Sequence, residues 1–401
     1  MAQPPVLHVH QDRVARAERA TGRVVVEVAT AVVGLALVVA AVVADQRWLD
    51  RHFLPSFFLP RQWYVRIETI VRLAVGVVGV ALAVVVRSRL ARRVTRAPRL
   101  IVSVAVAVVL ALVASELVLQ RFHPRPIGWL VPEEEPRRQP DARLGWVLAP
   151  SRVGRGRASG RTIEYATDRA GSRVPTADTI VDAERPTIVF GGESVMFGEG
   201  LPWDETIPAQ VGAMLGVQSA NLAVHGYATD QVYSRLRQEL PRFRRPTALV
   251  SLFMTAIFGR NLDDDRPHLD ADLVWHPAAP ASRLASLAAL LVPYRREETV
   301  ALGVSTTRAV LRATVELARA RGATPLIVVP QFGAEDEAER TLRGRIVDDS
   351  IPSLFVPLDD EWRLPWHLHP NARAAHAIAA AIAARLEKRP GGPNGSDGSG
   401  R

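Results

Sequence analysis

The chain has no cysteine and only one lysine, Lys388. The first absence excludes disulfides, thiolate metal sites and a cysteine nucleophile, and it leaves the redox compartment open. The second means that the formal charge of +9 is almost wholly arginine in origin. Aromatic residues are scarce, at 6%, and no basic-aromatic motif accompanies the arginines, so nucleic acid is not an expected partner. Many arginines instead flank apolar runs, where membrane topology accounts for them. Hydrophobic residues make up 48% of the chain, and the excess lies near the N-terminus.

Three apolar runs there, at about 24–44, 67–86 and 100–119, each approach the ~20 residues needed to cross a bilayer core. A signal peptide fits poorly, because three runs follow one another and no clear small-residue cleavage site follows the first. Arg13, Arg16, Arg19 and Arg23 precede the first run, and Arg87, Arg89, Arg92, Arg93, Arg96 and Arg99 fill the second loop. The first loop mixes its arginines with Asp45 and Asp50 and carries Trp48, Trp63 and Tyr64. The positive-inside rule then places residues 1–23 in the cytoplasm and everything after the third run outside. The expected location is a multi-pass protein of the plasma membrane, with the lipid bilayer as a partner. Glu27, Glu68 and Glu116 fall in or beside the runs. They fit either a functional path or local pairing, such as Glu68 with Arg72 at i,i+4.

Residues 121–140, rich in proline and charge, read as a linker. Residues 141–388 read as one domain with a small N-terminal β extension, in which Trp146 is a packing anchor. The glycine-rich tail 389–401 is expected to be disordered. Within the domain, strand-like runs at Thr187–Phe190, Gln218–Val224, Ala248–Met254, Pro325–Val329 and Leu354–Pro357 alternate with helical runs. The helical runs are Thr206–Leu215, Gln231–Leu240, Thr306–Arg321, Glu335–Val347 and Ala372–Glu387, with Ser305 as the expected cap of the third. Such alternation predicts an α/β fold with a doubly wound parallel sheet covered on both faces. The stretch Leu262–Leu302 breaks the rhythm and is long enough to be a lid or an excursion over the site.

The chain is organised around TIVFGGESVMFGEG, Thr187 to Gly200. A strand that ends in small residues and then a serine can present Ser194 as a nucleophile at the carboxyl edge of the sheet. An ordinary glycine-rich turn with a serine N-cap fits the same residues. The second strand runs into NLAVHGYATDQ, where the N–H of Gly226 is placed to face a developing oxyanion, or is simply that of a turn glycine. Near the end, LPWHLHPNARAAHAIA puts His369 on a loop just before the last helix, at the same edge. Serine, glycine and histidine thus fall in the order and strand-end positions that nucleophilic acyl chemistry uses. Metal binding by His367, His369 and His376 is a weaker reading, because no acidic ligand accompanies them.

From about residue 140 to 387 the chain resembles the SGNH/GDSL hydrolase family. GGESVMFGEG is similar to its Gly-Asp-Ser block, NLAVHGYATDQ to its second, and WHLHPNARAAHAIA to its Asp-x-x-His-Pro block. The resemblance implies a flavodoxin-like sheet, a serine nucleophile, a histidine base and no cofactor or metal. It also implies an oxyanion hole made by the N–H groups of Ser194 and Gly226 and an asparagine side chain. Three departures stand out. Glu193 replaces the usual aspartate beside the nucleophile. Ala256 stands where the oxyanion asparagine belongs, with Asn261 able to substitute only if its loop folds back. Trp366 stands where the orienting aspartate belongs.

The expected function is therefore a membrane-anchored serine ester hydrolase or O-acyltransferase that works through a Ser194–His369 pair. Its substrate would be an extracytoplasmic ester carried by a glycan or a lipid. A transferase would also need a membrane protein to supply the acyl donor. The alternative is a catalytically degraded module that binds an envelope glycan or a partner protein.

Overall fold

The computed structural model describes residues 5–54, 57, 61–122, 135–279, 282–292, 294–365 and 368–388, in two compact units. The glycine-rich tail, most of the linker, and Trp366 and His367 lie outside the described residues.

The first unit is helical: α1 (Pro5–Val43), α2 (Gln46–His52), α3 (Arg61–Val80), α4 (Arg87–Arg96) and α5 (Pro98–Phe122). A wider-wound turn, Ala81–Val86, joins α3 to α4 without a break. Three stretches are long and apolar enough to cross a membrane: Ala20–Val43, Arg61–Arg96 and Val102–Arg121. They overlap the three runs read from the sequence.

Small residues set the crossing of α1 and α3. A Cβ added to Gly34 would lie 2.6 Å from the carbonyl oxygen of Gly79, and one added to Gly79 would lie 2.7 Å from that of Gly34. Glycine alone lets two backbones approach so closely, which is how helices pack where burial from water supplies no drive. The glutamates here make local contacts. Glu27 pairs with Arg23 at 2.9 Å, and Glu68 accepts from Gln46 Nε2 at 2.7 Å. Arg72 donates to Ala41 O rather than to Glu68, so the i,i+4 pair is not what holds Glu68.

The second unit opens with a short hairpin, β1 (Arg138–Asp141) and β2 (Gly145–Leu148), paired antiparallel. The expected linker therefore ends at about residue 137, because strand structure begins before the boundary read from composition. Next come β3 (Arg152–Ala158), β4 (Arg161–Thr167), β5 (Arg173–Val174), β6 (Pro186–Gly191), α6 (Ser194–Phe197), α7 (Ile207–Leu215), β7 (Gln218–Asn221), α8 (Thr229–Glu239) and β8 (Arg245–Leu252). The excursion follows, with β9 (His268–Leu269), β10 (Trp275–His276) and α9 (Arg283–Leu291). The chain closes with α10 (Glu297–Ala320), β11 (Thr324–Phe332), α11 (Glu337–Ile346), β12 (Ser353–Leu358) and α12 (Ala372–Glu387).

Eight strands form one sheet in the order β12-β11-β8-β6-β7-β5-β4-β3. The first five pair in parallel, and β5, β4 and β3 extend the sheet antiparallel beyond β7. Renumbered among themselves, the five parallel strands run 2-1-3-4-5, the flavodoxin-like order. This is the fold that the SGNH/GDSL resemblance implies. Strands β6, β8 and β11 are buried along nearly their whole length, as parallel strands are when both faces are covered. Helix α7 packs with α12, and α8 with α10.

Two expectations change. Helix α10 starts at Glu297 rather than near Ser305, and Glu297 and Glu298 place two carboxylates in its first turn, where they suit the free amides. The excursion is not a simple lid. Its Ser282–Leu287 segment clusters with the first unit, where the Glu116 carboxylate accepts from Ser282 Oγ and from the amides of Arg283 and Leu284, and so caps α9.

Candidate active site

Strand β6 carries the chain to the carboxyl edge of the sheet. There the backbone turns at Gly192, where a Cβ would sit 2.5 Å from Met196 Cβ. Glu193 is the extended N-cap of α6 and Ser194 its first residue. The short helix ends at Gly198, whose φ of +82° suits a residue without Cβ, and its N–H returns to the carbonyls of Ser194 and Val195. The nucleophile candidate is thus held in a single closed turn.

His369 reaches the same point from the far end of the sequence. It stands just before α12, which Asn371 caps by accepting from the Ala374 amide. The His369 carbonyl accepts from Leu364 N at 2.6 Å. Its Nε2 lies 2.9 Å from Ser194 Oγ, and both residues are buried. With Nε2 unprotonated, the hydroxyl donates to it, and this is the contact a base makes before it takes the proton.

Arg173, from β5, is the clamp behind this turn. Its guanidinium donates to the carbonyls of Phe197, Gly198 and Leu201 at 2.7, 2.6 and 2.5 Å. It also lies over the rings of Tyr165 and Phe197. Burial lowers its pKa to about 10, so it stays charged at neutral pH.

Two acidic residues and a second histidine complete the surroundings. Glu199 Oε2 lies 3.7 Å from His369 Nε2 and 3.7 Å from His225 Nδ1. It approaches the nitrogen that already faces Ser194, so it does not stand where an acid that orients the imidazole would. Burial pushes His225 down to about 4, against the pull of Glu199. The ring is therefore neutral at pH 7, and its buried Nε2 has no hydrogen-bond partner among the described residues. Asp359 and Asp360 are turned to other partners, the amide of Glu361 and Arg363 Nε.

Glu193 is buried, and among the described residues no hydrogen-bond partner meets either carboxylate oxygen. Burial raises it from 4.5 to about 7, against the opposing charge of Arg260 and the nearby amides of Glu193 and Val195. A raised carboxylate holds its proton more tightly in the folded chain than in the unfolded one. Folding stability should therefore fall as pH rises from about 4.5 through about 7, by roughly 3 kcal/mol, and stay lower above that. Replacing Glu193 with glutamine should flatten this fall and raise the urea midpoint at pH 8 more than at pH 5. Parallel midpoints for the two proteins across that range would refute the assignment.

Of the oxyanion candidates, Gly226 follows the buried His225 with φ +81°, and its carbonyl accepts from Arg266 Nη1. The loop that carries it is pinned from β2. Trp146 Nε1 donates to His225 O at 3.1 Å, and Tyr227 Oη donates to Trp146 O at 2.6 Å. Trp146 is the buried packing anchor that the sequence suggested.

Asn261 does not serve as the substitute. Its Oδ1 accepts from the Thr229 amide, and both Nδ2 hydrogens go to Thr229 Oγ1 and Thr307 Oγ1 at 2.9 Å. These bonds tie the loop to α8 and α10 and leave no donor for a substrate. Ala256 packs against the main core, but its neighbour Thr255 has a buried hydroxyl with no partner among the described residues. Thr255 follows β8, the strand that pairs with β6. Gly191 on β6 pairs with Ser251 on β8, so Ser194 and Thr255 leave adjacent strands three and four residues further on. His376 Nδ1 lies 2.7 Å from Gln210 Oε1 on α7, and His367 lies outside the described residues.

No protein-family model matches the chain, and none of the curated proteins matches it. Among solved structures it is similar to an acetyl xylan esterase, Est2A, from the rumen bacterium Butyrivibrio proteoclasticus. That likeness has 12% identity and a TM-score of 0.32, and it covers 52% of this chain and 65% of that one. It is also similar to a member of the lipolytic protein G-D-S-L family from Veillonella parvula. Here the identity is 11% and the TM-score 0.32, covering 51% of this chain and 99% of that one. Likenesses at this level carry no argument about the chemistry of this chain.

Proposed function

We propose that this chain is a membrane-anchored serine ester hydrolase, or an acyltransferase of the same mechanism, whose nucleophile is Ser194 and whose base is His369. The observation that supports it is the 2.9 Å contact between Ser194 Oγ and His369 Nε2. The two residues are 175 positions apart in sequence. Ser194 Oγ attacks the acyl carbon while its proton passes to Nε2. The tetrahedral oxyanion forms against the N–H groups of Ser194 and Gly226, with the Thr255 hydroxyl as the third donor in place of the missing asparagine. His369 then returns the proton to the departing alkoxide and leaves an acyl-serine. Water, activated by the same imidazole, releases the acid; a glycan hydroxyl in its place completes a transfer.

The arginine distribution supports an orientation with the N-terminus in the cytoplasm and the α/β unit outside. This gives an extracytoplasmic ester, on a glycan or a lipid, as the substrate class. For a transferase, an acyl-donor protein in the membrane would be the partner. Ala256 favours the second reading, a degraded module that binds without turnover.

Labelling of the full-length protein by a serine-reactive fluorophosphonate separates the two. The wild type is expected to label and Ser194→Ala is not. Absent labelling, or labelling equal in both, selects the binding module.

A further inference from the structure

Leu54 and Phe57 lie in the chain between α2 and α3, yet both belong to the second unit. Their places within it differ. Leu54 packs on a cluster of Phe253, Phe258, Val300 and their neighbours, whereas Phe57 joins the main core and is 5% exposed. The Phe57 ring stands 5.6 Å from the His369 imidazole at an interplanar angle of 60°, the edge-to-face arrangement. It stands 6.5 Å from Phe332, at the end of β11. The Arg363 guanidinium covers both rings, 5.2 Å from Phe57 and 4.2 Å from Phe332. That arginine is itself fixed, donating to Leu368 O at 3.0 Å and pairing with Asp360 at 2.9 Å.

Among the described residues, groups of three origins meet around His369. Ser194 and Glu199 face Nε2 from the segment after β6. The backbone of Leu364 holds its carbonyl. Phe57 closes against its ring from a loop that the α/β fold does not contain. A histidine before a helix turns about two side-chain torsions, and a ring packed against the imidazole adds to the restraint from the Ser194 contact. Water admitted to that face would also compete for Nε2.

We infer that Phe57 is a positioning residue for His369, contributed by the loop between the first two membrane-length helices. It holds the imidazole in the orientation that presents Nε2 to Ser194. This inference rests on the Ser194–His369 reading above.

The test uses the full-length protein in lipid nanodiscs, with fluorophosphonate labelling rates and steady-state hydrolysis of p-nitrophenyl acetate. Misplacing a reacting group by about 1 Å can cost 10²-fold, so Phe57→Ala should label about 10- to 100-fold more slowly. Its kcat should fall while KM stays within about twofold, which general loosening of the fold would not produce. Phe57→Leu, which keeps apolar volume but loses the ring edge, should slow by a smaller factor, about 3- to 10-fold. Leu54→Ala, which disturbs the same loop away from His369, should label at the wild-type rate.

Undiminished labelling of Phe57→Ala overturns the inference, as does an equal loss in Phe57→Ala and Leu54→Ala. If Phe57→Ala does not fold, the comparison of Phe57→Leu with Leu54→Ala decides, and a wild-type rate for Phe57→Leu overturns it. A wild type that shows no Ser194-dependent labelling overturns the acyl-enzyme reading beneath it, a result distinct from any difference among the Phe57 variants.

Discussion

Replacing His369 with alanine is expected to lower kcat for p-nitrophenyl acetate by about 10⁴-fold or more while leaving KM nearly unchanged. The serine hydroxyl is a weak nucleophile at its own pKa, and only a base in contact with it makes attack feasible at neutral pH. His369 Nε2, 2.9 Å away, is the base in contact. Neighbouring His225 is kept neutral by burial, but its Nδ1 faces Glu199, so it is not placed to substitute. Residual turnover would come from the oxyanion donors and binding, which the substitution leaves intact. A further consequence follows from the two residues acting as one unit. The double variant Ser194→Ala, His369→Ala should be no slower than either single variant. Losses that multiply, or a single-variant loss below about tenfold, would show that the contact is structural.

Replacing Arg173 with methionine should destabilise the α/β unit by about 1–3 kcal/mol, read as the urea midpoint of its tryptophan fluorescence. Its guanidinium supplies donors to three carbonyls in the turn after the nucleophile. Removing it takes a donor from each: Phe197 O keeps Asn221 Nδ2 at 3.3 Å and Gly198 O keeps the Leu201 amide at 3.1 Å, whereas Leu201 O loses the donor it has, at a cost of about 1–3 kcal/mol. The two ring contacts, at 4.9 and 4.7 Å, are lost as well. Lysine should rescue little, because a single ammonium cannot span three carbonyls and stack between two rings. Activity should decline with stability, since Phe197 and Gly198 close the helical turn that begins at Ser194. A midpoint equivalent to less than about 1 kcal/mol of loss would refute the clamp.

The fold was legible because its signals are local. The five parallel strands show as short apolar runs, and all five fall within a few residues of where the sequence put them. Helix α12 begins and ends as read, Ala372–Glu387, because Asn371 and Pro370 mark its start and its apolar face repeats cleanly. Ser194 and His369 were legible as strand-end and pre-helix residues, and parallel topology brings such positions to one edge.

Other features were not legible because they depend on contacts between distant segments. Arg173 sits in a polar stretch, AGSR, that reads as surface; only the antiparallel extension buries it. Glu199 and His225 were each in view within their motifs, but nothing in either predicts a shared neighbour. Asn261 was the right residue type five positions too late, and its amide is spent on Thr229 and Thr307. Thr255, the proposed third donor, stands where the sequence offers a local signal. It is a hydroxyl residue beside the alanine that breaks the motif, at a strand end where a buried hydroxyl needs a partner. Phe57 has no local signal at all.

The antiparallel extension has one more effect, on how neighbouring molecules meet. A parallel sheet that stopped at β7 would offer the open amides of that strand to any passing chain. Instead the outermost strand is β3, along which Arg152, Arg155 and Arg157 recur. A second copy that tried to continue the sheet there would set like charges side by side. The extension thus discourages self-association at that border, leaving Glu164 on the adjoining strand to neutralise Arg155 within the molecule.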